Sequence, residues 1–439
     1  MNSSTAPLEI LISYKKWNKY SWASIIGPIE MMREFQDNKI SIEVVHESIL
    51  EKIPVFPYNK EYFLMFSTNS IDSRSVIKEI QEIRQYLKLE ENNELKVKII
   101  VGGPHASAKP EDFLKIGADL VFTGESELSL PLFLKQFIHN RDLNSSEFCD
   151  IKKIPNLAYL KQTNNEIVHT NSFLSPNIDN FAAFAPYTRL FRPIEITRGC
   201  PFGCKFCQTS KIFGYKMRHR SCENIILWAK MAIKLKIDKI WFTSPNVFAW
   251  GSKTTTPNTS KIENLLKNLK PIPKLKKIFF GTFPGEVRPD SVNQNIIETI
   301  QPFISNDSFA IGAQSASPSI LKTTGRGHTV EQIWDAIEII NANDFKANID
   351  MMFGLPSENG EDVQLNIDFI HQVLKNKRNK IHGHVFMPLP GTEYECKPPG
   401  IIHDELAKVI GKYAQKGRIY GSHFHQQKIA KQLNSNLNS

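Results

Sequence analysis

Residues 196–210 read ITRGCPFGCKFCQTS, which sets Cys200, Cys204 and Cys207 in a C-x3-C-x2-C array. The other cysteines stand at 149, 222 and 396, and the first 148 residues hold none. A disulfide framework would spread its thiols more evenly, so the array reads as metal or cluster ligation. Structural zinc takes four ligands in a tetrahedron. No fourth cysteine or well-spaced histidine pair follows Cys207 within the next 14 residues. A cubane iron–sulfur cluster also normally takes four thiolates, so three leave one iron open to bind a substrate or cofactor directly.

The array sits on the loop that follows the first strand of a repeating pattern. From about Pro193 onward, βα units recur: PIEITRG, the helix SCENIILWAKMAIKLK, KIWFTSPN, KKIFFGTFPGEVRP, DSFAIGAQSAS, the helix HTVEQIWDAIEIINAND, KANIDMMFGLP and a strand around HGHVFMPLP. Thr329 and Gln332 are spaced as a capping box at the start of their helix. Each strand ends in its own polar or Gly-Pro signature, which favours an open or partial barrel over a second doubly wound sheet.

Upstream, short apolar runs alternate with helical patterns: EILIS (9–13), IEVVH (42–46), YFLMFS (62–67), VKIIVGG (97–103) and ADLVFTGE (118–125). Between them, VIKEIQEIRQYLK (76–88) carries its apolar residues at helical spacing. The pattern predicts a doubly wound α/β domain. In such a sheet ligands bind beyond the carboxyl ends of the strands. Those ends carry Ser13, Ser67-Thr68-Asn69, Gly102-Gly103-Pro104-His105 and Thr123-Gly124-Glu125, small or polar groups that let a flat, bulky ligand approach the backbone. SYKKWNKYSW stands where a dinucleotide-binding G-x-G-x-x-G would follow the first strand, which argues against a nicotinamide cofactor.

A chain of 439 residues exceeds what one core usually holds, roughly 250–300 residues, so two main domains are expected. The expected division is a Rossmann-like domain over 1–140, a connector with a hairpin (LAYLKQTNNEIVHT) over 141–190, a barrel over 191–395, and a helical extension with a polar tail over 396–439. No signal peptide or membrane span is read, which points to the cytoplasm. The net charge of +9 is spread through LKNLKPIPKLKK, KNKRNK and KMRHR, which read as solvated helix faces rather than a nucleic-acid stripe.

With these residues in view, the chain resembles the radical S-adenosylmethionine (SAM) superfamily, whose hallmark is C-x3-C-x2-C on the loop leaving the first strand of a partial (β/α)6 barrel. The resemblance implies a [4Fe-4S] cluster on Cys200, Cys204 and Cys207, with SAM on the open iron and Phe206 beside its adenine. FPGEVRP resembles the segment that offers Glu286 and Arg288 to the amino-acid part of SAM. GAQSASPSILKTTGRGHT resembles the fourth-strand signature, making Gln314 and Ser315 candidates for ribose or methionine contacts. The usual Gly-Gly-Glu of the second strand is replaced by Thr243-Ser244-Pro245-Asn246, which leaves backbone carbonyls or Asn246 for the amino group.

GGPHASAKPEDFLKIGADLVFTGESE resembles the last third of the cobalamin-binding domain that precedes this barrel in one subfamily. The implied contacts are Ser67, Thr68, Gly102, Gly103, Gly124 and Glu125. The Asp-x-His-x-x-Gly motif, which supplies a histidine beneath cobalt, is absent, since neither His46 nor His105 follows an aspartate by two positions.

The resemblance implies a cobalamin-dependent C-methyltransferase that attacks an unactivated carbon through a 5′-deoxyadenosyl radical. Alternatives are a cobalamin-dependent rearrangement or cyclisation, or a methylthiotransferase acting on RNA. The last would carry a second cluster on amino-terminal cysteines, and none precedes Cys149. The expected partners are a low-potential electron donor and a substrate that is a small molecule, a lipid or a protein side chain. Of the remaining residues, Cys222 reads as core and His423 and His425 as solvated. Trp17, Tyr20 and Trp22 read equally as core or as cobalamin-facing.

Overall fold

The structure, a computed structural model, describes residues 6–58, 60–89, 95–142, 150–161, 163–170 and 175–437, so Cys149 lies outside the described residues. The chain divides into two compact units, Met1–Arg192 and Pro193–Ser439.

The first unit is built on one seven-stranded sheet. Its strands are β1 (Leu8–Ser13), β2 (Ile40–Val45), β3 (Glu61–Ser67), β4 (Lys96–Gly102), β5 (Leu120–Phe122), β6 (Leu157–Leu160) and β7 (Ile167–His169), in the order β2-β1-β3-β4-β5-β6-β7. β1 to β5 pair in parallel, while the hairpin β6–β7 closes one edge antiparallel. The apolar runs of β1 and β3 are buried on both faces, as a sheet covered on both sides requires. The helix Ser73–Leu89 places Val76, Ile80 and Ile83 in a core with Leu11, Leu64, Phe66 and Ile99. Each such aliphatic side chain contributes roughly 1.5–3 kcal/mol by leaving water. The order 2-1-3-4-5 puts the topological switch point between the carboxyl ends of β1 and β3. There the Asn18 amide donates to Ser13 O at 2.9 Å and to Ser67 O at 3.4 Å, and Trp22 Nε1 donates to Ser13 O at 2.9 Å.

The second unit carries β8 (Ile194–Glu195), β9 (Thr197–Arg198), β10 (Arg218–His219), β11 (Lys239–Thr243), β12 (Lys277–Phe279), β13 (Ser308–Gln314), β14 (Lys346–Phe353), β15 (Lys380–Val385) and β16 (Ile419–Tyr420). β12-β11-β8 and β13-β14-β15-β16 are two parallel arcs, joined by a parallel bridge between Val287 and Ile311. The result is an open barrel of βα units, as the strand-end pattern predicts. Helix starts follow the local sequence: Ser221 caps Cys222–Lys234, and Thr329 with Gln332 forms the expected capping box on Val330–Ala342.

The carboxyl-terminal segment departs from the expected polar tail. β16 extends the barrel sheet beside β15, and His423–Leu437 is helical. His423 is correspondingly not solvated: it is buried, with its ring against Gly383, whereas His425 is exposed. Among the described residues no helix is long and apolar enough to cross a membrane.

Candidate active site

The cysteine loop is a ring closed at its base. β9 and β10 pair antiparallel (Arg198↔Arg218), and Cys200 N donates to Gly214 O at 3.1 Å. Gly199 makes the closure possible: at φ +87°, a Cβ there would sit 2.2 Å from Lys216 O. Elements across the barrel hold the loop from the other side, with Lys205 N donating to Thr324 O at 3.0 Å and Gln208 Nε2 to Pro390 O at 2.8 Å.

Cys200, Cys204 and Cys207 are free thiols that line one cavity of about 290 Å³. Burial, and then the neighbouring Cys204 and Cys207, push the Cys200 thiol up, against a hydrogen bond from the Phe202 amide that lowers it. Three thiolates converging in a half-buried place repel one another, and a cationic iron cluster removes that repulsion, so the donor set fits the cluster.

Phe206, Glu286, Arg288 and Gln314 line the same cavity. Phe206 also packs on Ile320, Leu355, Phe386 and Tyr394, which fixes its ring. Gln314 sits in a β-bulge at φ +75°, unusual for a side chain with a Cβ. Such strain costs of order 1–3 kcal/mol and persists where the surroundings over-determine it. Arg288 is buried with its guanidinium 3.2 Å over the Phe202 ring; it donates to Asp290 at 3.0 Å and to Arg326 O at 2.7 Å. Burial, followed by the Asp350 carboxylate, holds Glu286 well above the usual carboxylate range, with Arg326 pulling it back.

Two expected contacts lie outside the cavity lining. The Asn246 carbonyl accepts from Phe248 N (3.3 Å), Arg288 N (3.4 Å) and Ser291 Oγ (3.2 Å), so it braces the turn. The neighbouring Ser244 and Pro245 face the cavity instead. Ser315 is fully buried, accepting from Ser317 N at 3.1 Å.

Arg326 was not singled out from the sequence. It lines the cavity, reaches Cys204 Sγ at 3.6 Å and donates to Gly312 O. The signal was the GRG in TTGRGHT: Gly325 and Gly327, at φ +72° and +71°, turn the chain so that the arginine enters.

In the first unit, the six expected corrinoid contacts gather at the strand ends in two different ways. Gly103 has φ +100°, and a Cβ there would lie 2.5 Å from Thr68 O, so this glycine serves backbone packing. Gly102 is partly exposed, and its Cβ would meet only Phe122 O at an ordinary 3.6 Å, leaving a cradle that a larger side chain would fill. Ser67, Thr68 and Glu125 are buried. Gly124 N donates to Ser107 Oγ at 2.8 Å, and Glu125 O accepts from Asn156 Nδ2 at 2.8 Å. Trp22 is core, whereas Trp17 and Tyr20 stand more than a third exposed on the segment after β1. His105 is buried and held at both ring nitrogens, 3.1 Å from Ser70 Oγ and 3.0 Å from Asp112.

Residues 194–370 match the family model described as Radical SAM superfamily. The chain has the fold of TsrM from Kitasatospora setae, a radical SAM methyltransferase solved with cobalamin and a [4Fe-4S] cluster bound. The two superpose with a TM-score of 0.66 at 12% identity, over 90% of this chain and 78% of that one. An uncharacterised protein of Methanocaldococcus jannaschii is 26% identical over 387 residues, 79% of this chain and 72% of its own. A tRNA-2-methylthio-N(6)-dimethylallyladenosine synthase of Natranaerobius thermophilus is 29% identical over 249 residues, 56% of this chain and 51% of its own. With the three thiols gathered beside Glu286, Arg288 and Gln314 in an open parallel barrel, residues 194–370 form a domain of the radical SAM superfamily, which implies a [4Fe-4S] cluster and SAM as its cofactors.

Proposed function

We propose that this is a cobalamin-dependent radical SAM enzyme that transfers a methyl group to an unactivated carbon. The observation that carries the reading is the pairing, in one chain, of a three-thiol cavity with a 2-1-3-4-5 sheet whose β4 carboxyl end, one strand from the switch point, offers a shallow glycine cradle. When bound, the cluster and SAM supply a hydrogen-abstracting radical, and the corrinoid supplies the methyl group.

The residues of the barrel bind and orient. Cys200, Cys204 and Cys207 hold three irons, Phe206 offers a ring face to the adenine, and Arg288 and Glu286 take the charged amino-acid end of SAM. In the first unit, Gly102 leaves room for a macrocycle, and Trp17 and Tyr20 offer aromatic surface on the segment after β1. His105 is occupied by Ser70 and Asp112, which supports a corrinoid held without a histidine beneath the cobalt.

Methylthio transfer to tRNA is the second reading, favoured by the sequence relatives. The lack of any cysteine before Cys149 weighs against it. The two readings separate in one experiment, in which reduced protein is incubated with methyl-labelled SAM and a cell extract and the label is followed. Label outside RNA, with 5′-deoxyadenosine and S-adenosylhomocysteine formed in equal amounts, supports C-methylation. Label recovered in tRNA favours the second reading. Deoxyadenosine without S-adenosylhomocysteine points to rearrangement or cyclisation. Anaerobic purification should also yield one extractable corrinoid per chain, and its absence overturns the cobalamin assignment.

A further inference from the structure

Glu286 is shared between the cysteine cavity and a second polar cluster inside the barrel. β14 and β15 run parallel with Asp350 opposite His382 and Met352 opposite His384. Side chains alternate along a strand, so Asp350, His382 and His384 emerge on one face of neighbouring strands. Gly312 of β13 stands opposite Asp350, and a Cβ on it would point to Glu286 Oε2 at 3.3 Å. That face therefore looks toward the wall of the SAM cavity. His382 Nδ1 lies 3.0 Å from Asp350 Oδ1, the His382 and His384 ring centroids are 4.1 Å apart, and the Asp350 carboxylate helps to hold Glu286 above the usual carboxylate range.

This grouping is poorly matched in charge. Two carboxyl groups face one another beside two imidazoles, Asp350 is buried and Glu286 half-buried, and a buried charge is costly unless it is paired or coordinates a metal. The guanidinium that faces Glu286, Arg326, is already engaged by Gly312 O and Cys204 Sγ. Two imidazoles and a carboxylate are the donor set of mononuclear zinc and non-haem iron sites that keep positions open.

We propose that Asp350, His382 and His384 form a site for one divalent first-row transition metal in the barrel lumen. One ligand atom from each of the three lies within 4.8 Å of the others. Tetrahedral zinc with bonds of about 2.05 Å wants its ligand atoms about 3.4 Å apart, a contraction that small side-chain rotations supply. The His382 ring is stacked on Tyr420 (centroids 4.7 Å apart, planes at 11°), so its plane is set and the movement falls to Asp350 and His384. A metal held by three protein ligands keeps a position for a substrate hydroxyl, amine or carboxylate, which would anchor a polar substrate beside the radical source. The anchoring role rests on the radical-enzyme reading, whereas the existence of the site does not.

The test uses full-length, cluster-loaded protein equilibrated with Zn²⁺ and desalted, since elemental analysis separates zinc from cluster iron and the cluster occupies the three thiols. We expect one zinc per chain in the parent. His382→Ala, His384→Ala and the isosteric Asp350→Asn should each weaken zinc binding at least tenfold while the unfolding midpoint and cluster iron are retained. Cobalt(II) in place of zinc should give ligand-field absorption in the parent that each variant loses. No zinc in the parent, or equal zinc in parent and variants, overturns the site. If zinc is absent but SAM is still cleaved, only this inference falls; zinc retained without SAM cleavage would count against the radical reading alone.

Discussion

The two units make their candidate sites from different materials. In the barrel, charged and sulfur-bearing side chains do the work: three thiols, a carboxyl and two guanidinium groups point into one cavity. In the amino-terminal unit the strand ends contribute mainly backbone, with Thr68 and Glu125 buried while Gly102, Trp17 and Tyr20 present open surface. A small, charged cofactor fragment is selected by directed hydrogen bonds and ligation, while a large, flat macrocycle needs mostly room and apolar contact. The first kind of site leaves motifs in a sequence, and the second leaves only a pattern of small residues.

That contrast breaks most readily at the cysteines. Cys200→Ala, Cys204→Ala and Cys207→Ala should each reduce 5′-deoxyadenosine formation to background, because two thiolates remain for a site that needs three. Cys222→Ala, by contrast, should keep activity, since Cys222 lines a surface pocket with Trp250 and Lys253 instead. Full iron content and SAM cleavage in any of the first three would remove the cluster assignment.

The next largest effect separates two adjacent glycines. Gly102→Leu should leave the melting temperature of the protein nearly unchanged and abolish corrinoid binding in an absorbance titration. Gly103→Ala should do the reverse, destabilising the fold by about 2 kcal/mol or more because its left-handed φ and its contact with Thr68 O both exclude a Cβ. If Gly102→Leu binds corrinoid normally, the cradle is not the binding surface.

A smaller effect tests the barrel through pH. Burial, above all, raises the Glu358 carboxyl from 4.5 to about 7, although Gly354 N and Asn366 Nδ2 donate to it at 2.8 and 2.9 Å. The folded state therefore holds a proton that the unfolded chain releases from about pH 4.5. Stability attributable to this group is fully present below pH 4.5 and is lost as pH rises through about 7. The loss is of order 3 kcal/mol. Glu358→Gln should flatten that part of the pH–stability curve in chemical denaturation, and an unchanged slope would show that the carboxyl is already ionised.

The mildest expectation concerns aromatic surface. Trp17→Ala or Tyr20→Ala should weaken corrinoid binding several-fold without moving the melting temperature, as the loss of exposed stacking area predicts. A large drop in melting temperature would assign these rings to packing.

Legibility followed distance along the chain. The cysteine loop, the strand order's ingredients and the Thr329–Gln332 capping box are local patterns, and each appears in the structure where it was read. Glu286, Arg288 and Gln314 were reached through the family resemblance and do share the cavity with Phe206. Asn246 and Ser315 were reached through the same resemblance, but each side chain is turned into supporting hydrogen bonds, a choice of rotamer and turn that spacing does not encode.

The sequence by itself determined which elements form, that three thiols fall on one loop, and that a doubly wound sheet precedes a partial barrel, because apolar periodicity and loop chemistry are properties of adjacent residues. Tertiary structure alone decided that Arg326 reaches Cys204, that Gln314 occupies a bulge, and that Asp350 meets His382 and His384 across two strands. Parallel pairing joins segments some 30 residues apart, and its register is fixed by the packing of the whole barrel. A strand's own residues specify its two faces, but not which residue of the next strand will stand opposite.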